Sequence, residues 1–256
     1  MQLHKEILGE GQDLVFIHGW GMNSAVWSSM TGELSQRYRL TMIEMPGHGH
    51  SGYQADCLEL DQWVKAVLDT APGNAVWIGW SLGSMLAQRA AMLAPDRVQG
   101  LVSIAGTPSF VQRDDWNNAM EPGTLRRFAA DLQQDHAQTL ERFLLLQAHG
   151  DAGMRQLLRP LREGLSSRPQ PDDLALEAGL DLLLNVDLRS DLPGLQCPNM
   201  WLLGRRDLLV PVAVADDLKR LQPQAEVHLF RQAAHLPMLS DQARCLELLD
   251  KFMSNV

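Results

Sequence analysis

Ser81 stands in Gly79-Trp80-Ser81-Leu82-Gly83, and Asp207 and His235 follow it in the chain. A serine hydroxyl is a poor nucleophile unless a base takes its proton, and the base needs an acid to fix its tautomer. The order Ser, Asp, His is the one found when the nucleophile rides on a Gly-x-Ser-x-Gly turn. The chemistry expected of these three residues is acyl transfer through a serine. Taken singly, each residue has an ordinary explanation: a loop serine, or a surface acid or imidazole. What favours the catalytic reading is where the neighbouring sequence places them.

The pentad follows the apolar run Ala75-Ile78 and precedes a helical pattern over Ser81-Leu93. A strand–turn–helix setting makes it a nucleophile elbow, with the serine backbone strained and its hydroxyl raised above the sheet. Asp207 follows the candidate strand Met200-Leu203, and His235 follows the candidate strand Glu226-Phe230. All three residues therefore sit past strand C-termini, on one edge of a sheet. An oxyanion also needs backbone N–H groups aimed at it. Leu82 N–H is one candidate and Trp20 N–H, in His18-Gly19-Trp20-Gly21, is the other. His18 is read as a structural histidine holding loop backbone. His48 and His50, in Pro46-Gly47-His48-Gly49-His50-Ser51, are read as parts of a sharp turn; two histidines without further ligands make a weak metal site.

The remaining candidate strands are Leu14-Ile17, Leu40-Glu44 and Leu101-Ala105, with a helix over Leu60-Asp69. Alternation of apolar runs and helices predicts an α/β fold with a mostly parallel central sheet flanked by helices. The rhythm breaks between about 110 and 187. Amphipathic helices are expected there over Pro122-Asp131, Ala137-His149, Gly153-Leu165 and Pro171-Asn185. This predicts a discontinuous core, 1–109 and 188–256, with an inserted helical lid over 110–187. Leu140, Phe143, Leu144 and Gln147 share one helical face. That face could serve only core packing, or Phe143, Leu144 and Leu146 could also line a pocket.

Arg155, Arg159 and Arg162 recur at helical spacing in the insertion, with Arg142 on the preceding helix and only Glu163 offsetting them locally. A solvated face is one reading; docking of an anionic substrate or carrier is the other. The 256-residue chain carries a net charge of −9, which argues against general nucleic-acid binding. No apolar run approaches a membrane span and no secretory leader is visible, so no membrane partner and a cytoplasmic location are expected. Cys57, Cys197 and Cys245 are odd in number and widely spaced, and read as reduced packing thiols. No phosphate-binding glycine motif occurs, so no nucleotide cofactor is expected. A monomer is expected.

On these residues the chain resembles the α/β-hydrolase superfamily along nearly its full length. More narrowly, it is similar to the esterases of biotin synthesis that demethylate pimeloyl-[acyl-carrier protein]. The narrower likeness rests on Leu14-Gly21, Gly79-Gly83, Glu141-Gln147 and Ala233-Ala234-His235. The resemblance implies Ser81, Asp207 and His235 as a triad. It implies substrate contacts at Trp20, Leu82 and Phe143, Leu144, Leu145, Leu146 and Gln147, with lid arginines facing an acidic acyl-carrier protein. Glu44 departs from the superfamily's usual aspartate, and Gln138 stands where a further lid arginine can occur. The alternatives are an esterase of other short esters, a lyase or carbon–carbon bond hydrolase on the same fold, and a non-catalytic binding module.

Overall fold

The computed structural model describes all residues, 1–256. Seven strands form one sheet: β1 (Lys5–Leu8), β2 (Gln12–Ile17), β3 (Tyr38–Ile43), β4 (Ala75–Trp80), β5 (Val98–Ile104), β6 (Asn199–Gly204) and β7 (Glu226–Phe230). Their spatial order is β1-β3-β2-β4-β5-β6-β7. All pairs are parallel except β1 with β3.

The inner strands are apolar at successive positions because both sheet faces are covered. Val15, Ile17, Ile43, Trp77, Leu101, Trp201 and Leu203 enter one core layer. Their alternating neighbours Leu14, Phe16, Met42, Val76, Ile78, Val102 and Leu202 enter the other. The first layer is closed by α2 (Leu60–Thr70), α3 (Leu82–Leu93) and α8 (Val214–Leu221). The second is closed by α1 (Ser28–Leu34) and α10 (Gln242–Met253), with the short α9 (Pro237–Ser240) before it. The period-two alternation of strand side chains decides which helix each residue meets.

Between β5 and β6 come α4 (Pro122–Leu132), α5 (His136–Ala148), α6 (Met154–Ser166) and α7 (Asp173–Asn185). Asp135 and Asp172 cap α5 and α7 by accepting backbone N–H groups. Helix α6 continues through Pro160, although proline removes a backbone donor. Its buried Leu157, Leu158 and Leu161 anchor it on both sides of that residue. Helix α5 bridges the two layers: Phe143 packs in the first and Leu144 in the second. No helix is long and apolar enough to cross a membrane.

Candidate active site

Strand β4 ends at Trp80, and Ser81 turns the chain into α3 with φ 55° and ψ −120°. This is left-handed φ at a non-glycine residue, the strain expected of the elbow. Both glycines of the pentad are sterically required. A Cβ on Gly79 would strike the Gly83 carbonyl; one on Gly83 would strike the carbonyls of Ile17 and His18. The turn is therefore pressed between its own helix and the end of β2.

His235 lies beyond β7 and Asp207 beyond β6, on the same sheet edge as Ser81. His235 Nε2 is 2.8 Å from Ser81 Oγ, and His235 Nδ1 is 2.7 Å from Asp207 Oδ2. A carboxylate oxygen can only accept, so Nδ1–H donates to Asp207 and Nε2 is left to accept the serine proton. Asp207 Oδ1 accepts from Leu209 N (2.8 Å) and Val210 N (3.0 Å), which fixes the carboxylate plane. Ser81, Asp207 and His235 are all buried. Trp80 Nε1 donates to the His235 carbonyl at 2.8 Å, and its ring tilts against the imidazole. Three residue types expected from their spacing thus converge in one hydrogen-bonded chain.

The backbone N–H groups of Trp20 and Leu82 donate to no other protein group. Gly19 presses the Trp20 loop against the elbow: a Cβ there would come within 3.2 Å of Ser81 Cβ. The Trp20 indole is buried, donates to the Leu176 carbonyl at 2.9 Å and stands edge-on to Phe143 at 4.7 Å. The Trp20 ring is therefore seated in the inserted helices.

His18 and His48 brace this loop from below. His18 Nδ1 donates to the Gly19 carbonyl (2.8 Å), and its Nε2 accepts from Met45 N (3.0 Å). His48 Nδ1 donates to the Pro46 carbonyl (2.9 Å), and its Nε2 accepts from Gly21 N (3.2 Å). Each ring must be neutral to keep both bonds. Burial holds His18 down at about 3 and His48 at about 4, the nearby His48 adding to the effect on His18. The structural reading of both histidines agrees with these contacts. His50 contributes its backbone N–H to Glu44 Oε2 at 2.6 Å. Glu44, fully buried, also accepts from Ser24 Oγ at 2.9 Å and lies 3.5 Å from Arg168 Nε. Neither the His48–Gly21 bond nor the Glu44 cluster has a local sequence signal, since their partners are backbone groups or lie far along the chain.

The insertion residues divide. Phe143 faces Trp20 and stands edge-on to Phe128 at 5.5 Å. Leu144 is core, and the buried Gln147 offers its carbonyl to His235 N at 3.1 Å. Leu145 and Leu146 line a surface cavity of about 400 Å³ with Phe128, Arg142, His149 and Met154. The local view of the arginines needs correction. Arg142 pairs with Asp131 (3.0 Å), Arg162 with Glu141, and Arg159 with Glu163 (2.8 Å). Tertiary placement of α4, α5 and α6 brings in Asp131 and Glu141, so Glu163 is not the only offset. Arg155 is exposed and is in none of these pairs.

Burial pushes the Cys245 thiol up to about 12 and the Cys197 thiol to about 11. All three cysteines are free, and neither shift favours a thiolate nucleophile.

Residues 14–242 match the family of the alpha/beta hydrolase fold. The chain is 44% identical to the pimeloyl-[acyl-carrier protein] methyl ester esterase of Methylococcus capsulatus, over all of both proteins. It is 40% identical to the enzyme of that name from Vibrio cholerae, over 98% of each. Among solved structures it resembles an esterase from Exiguobacterium antarcticum (TM-score 0.88, 21% identity, 98% of this chain and 95% of the other). That last likeness concerns the fold alone.

Proposed function

The chain belongs to the α/β-hydrolase family, and from that membership and the site we propose that it is a serine carboxylesterase hydrolysing the methyl ester of pimeloyl-[acyl-carrier protein] in biotin synthesis. The observation that carries the reading is the buried Ser81–His235–Asp207 chain beside two unengaged backbone N–H groups. The substrate comes from the relatives, which span the whole chain.

In this reading Ser81 Oγ attacks the ester carbonyl while His235 Nε2 takes its proton. The N–H groups of Leu82 and Trp20 meet the developing oxyanion. His235 returns the proton to methoxide, and methanol leaves. Water, deprotonated by the same nitrogen, then attacks the acyl-serine; the acyl–Oγ bond breaks, His235 returns that proton to Ser81 Oγ, and pimeloyl-[acyl-carrier protein] leaves with its carboxylate free. Asp207 holds the imidazole in the required tautomer throughout. The chemistry needs no metal or cofactor. Residues 110–187 act as the cap. Within it, Phe143, edge-on to Trp20, and Gln147, whose carbonyl holds His235 N, form the acyl side of the site, while Leu144 packs in the core behind them and Leu145 and Leu146 face the outer cavity. Arg142, Arg155, Arg159 and Arg162 meet the acidic carrier. The protein acts as a cytoplasmic monomer; its free thiols favour a reducing compartment.

The test is to incubate the protein with methyl pimeloyl-[acyl-carrier protein] and follow the methyl group by intact mass. Loss of one methyl, blocked by a fluorophosphonate that labels Ser81, is the expected result. An unchanged mass would overturn the substrate assignment. Turnover with no acyl-serine trapped on rapid quenching would overturn the two-step mechanism.

A further inference from the structure

The turn from α5 to α6 lies against the loops that carry the acid and the base. Ala234 N donates to Asp151 Oδ2 at 3.0 Å, one residue before His235. Ser240 Oγ donates to the same carboxylate oxygen. Asp151 Oδ1 accepts from Gly153 N at 2.7 Å, which holds the turn in shape. On either side, Ala152 N donates to the Gln232 carbonyl (3.2 Å) and Arg206 Nη1 to the Gly150 carbonyl (3.1 Å). Asp151 and Ala234 are both buried.

The chemical logic is one of satisfaction. The Ala234 amide is shut away from water, and a buried donor without a partner is costly. No element of the sheet core supplies its acceptor; a carboxylate from the inserted helices does. We propose that Asp151 is a positioning residue for His235: the insertion sets the histidine loop through the Ala234 amide. The inserted segment thereby holds the geometry of the base as well as covering the serine. This inference rests on the reading of His235 as the base.

The arrangement predicts a loss in the chemical step with little change in substrate binding. Asp151→Ser keeps an oxygen near Gly153 N but is too short to reach Ala234. Asp151→Asn keeps the length and one acceptor oxygen. Both are compared with wild type on p-nitrophenyl butyrate, with kcat taken per active site titrated by fluorophosphonate. Asp151→Ser should lower kcat about 10- to 100-fold, the scale of a small misplacement of a catalytic group, with KM within about twofold. Asp151→Asn should restore kcat to within about threefold of wild type. Wild-type kcat in Asp151→Ser, a change in KM alone, or an equal loss in both variants would overturn the proposal. His235→Ala is the control. Substantial turnover in that variant would instead remove the reading on which the proposal stands.

Discussion

The floor of the site and its cover are built in different ways. The floor is the C-terminal edge of β2, β4, β6 and β7, and its geometry is set by backbone. Gly79 and Gly83 leave no room for a methyl group, Ser81 is held at φ 55°, and the Trp20 loop hangs on two neutral histidines. The proposed cover is α4 to α7, and its outer face is set by side chains. Its arginines pair with carboxylates on three helices, and its apolar residues split between the two core layers and an open cavity. The floor therefore suits a reaction that tolerates little displacement, and the cover suits recognition that adjusts. Asp151 belongs to the cover by chain position and to the floor by contact.

If that division is right, floor substitutions should cost orders of magnitude without unfolding the protein. Ser81→Ala should lower kcat by about 10⁴ to 10⁶, the range for loss of such a nucleophile, and His235→Ala similarly. The double variant should be little worse than either, and thermal melts should stay near wild type. Full activity in Ser81→Ala would end the comparison. Asp207→Asn should cost about 10⁴ in kcat. Its remaining oxygen can keep the Leu209 and Val210 amides, which turns the new NH₂ toward His235 Nδ1 and selects the wrong tautomer. Near-wild-type turnover would call for another acid.

The backbone basis of the floor can be probed by stability. Gly83→Ala should destabilise by about 1–3 kcal/mol or more, because the methyl meets carbonyl oxygens that cannot swing aside. Urea unfolding measures it. A variant as stable as wild type would show that the elbow yields. The histidine braces add a pH signature. An unfolded histidine takes a proton near pH 6.5, whereas His18 and His48 hold theirs off to about 3 and about 4. Between those values the unfolded chain binds more protons, so stability should fall as pH drops from about 6.5. Replacing His48 by Gln, which keeps an acceptor for Gly21 N–H and carries no titrating ring, should flatten the fall. Equal slopes in the two proteins would assign the acid sensitivity elsewhere.

The same division governs what could be read from sequence. The floor was legible because its signals are local: Ser81 in its pentad, Asp207 and His235 just after apolar runs, glycines at the oxyanion loop. The inner strands were legible because burial on both faces leaves contiguous apolar residues such as Ala75-Ile78. Strand β1 carries no such signal, because Lys5-Glu6-Ile7-Leu8 is an antiparallel edge with mostly exposed side chains. The partners of Arg162, Asp151 and His48 were illegible for a different reason. Glu141, Ala234 N and Gly21 N are brought to them only by the folded chain, and two of those three are backbone groups of no distinguishing type.

The cover should show the smallest and most conditional effects. Arg142, Arg159 and Arg162 already hold carboxylates, so under the proposed docking an acidic carrier would have to compete with Asp131, Glu163 and Glu141. Arg155 has no such competitor among these pairs and should contribute most. A single Arg155→Ala should lower kcat/KM for the carrier-bound ester about 2- to 5-fold, as an exposed, screened contact allows. Arg155→Glu with Arg159→Glu should lower it further, because like charges then face the carrier. Both losses should shrink at high salt. p-Nitrophenyl butyrate makes no carrier contact, and its turnover should not change. The measurement is kcat/KM for both esters at low and high salt. Equal losses on both would show that the substitutions damage the cover itself. No loss on either would leave these arginines as a solvated face and remove them from carrier recognition.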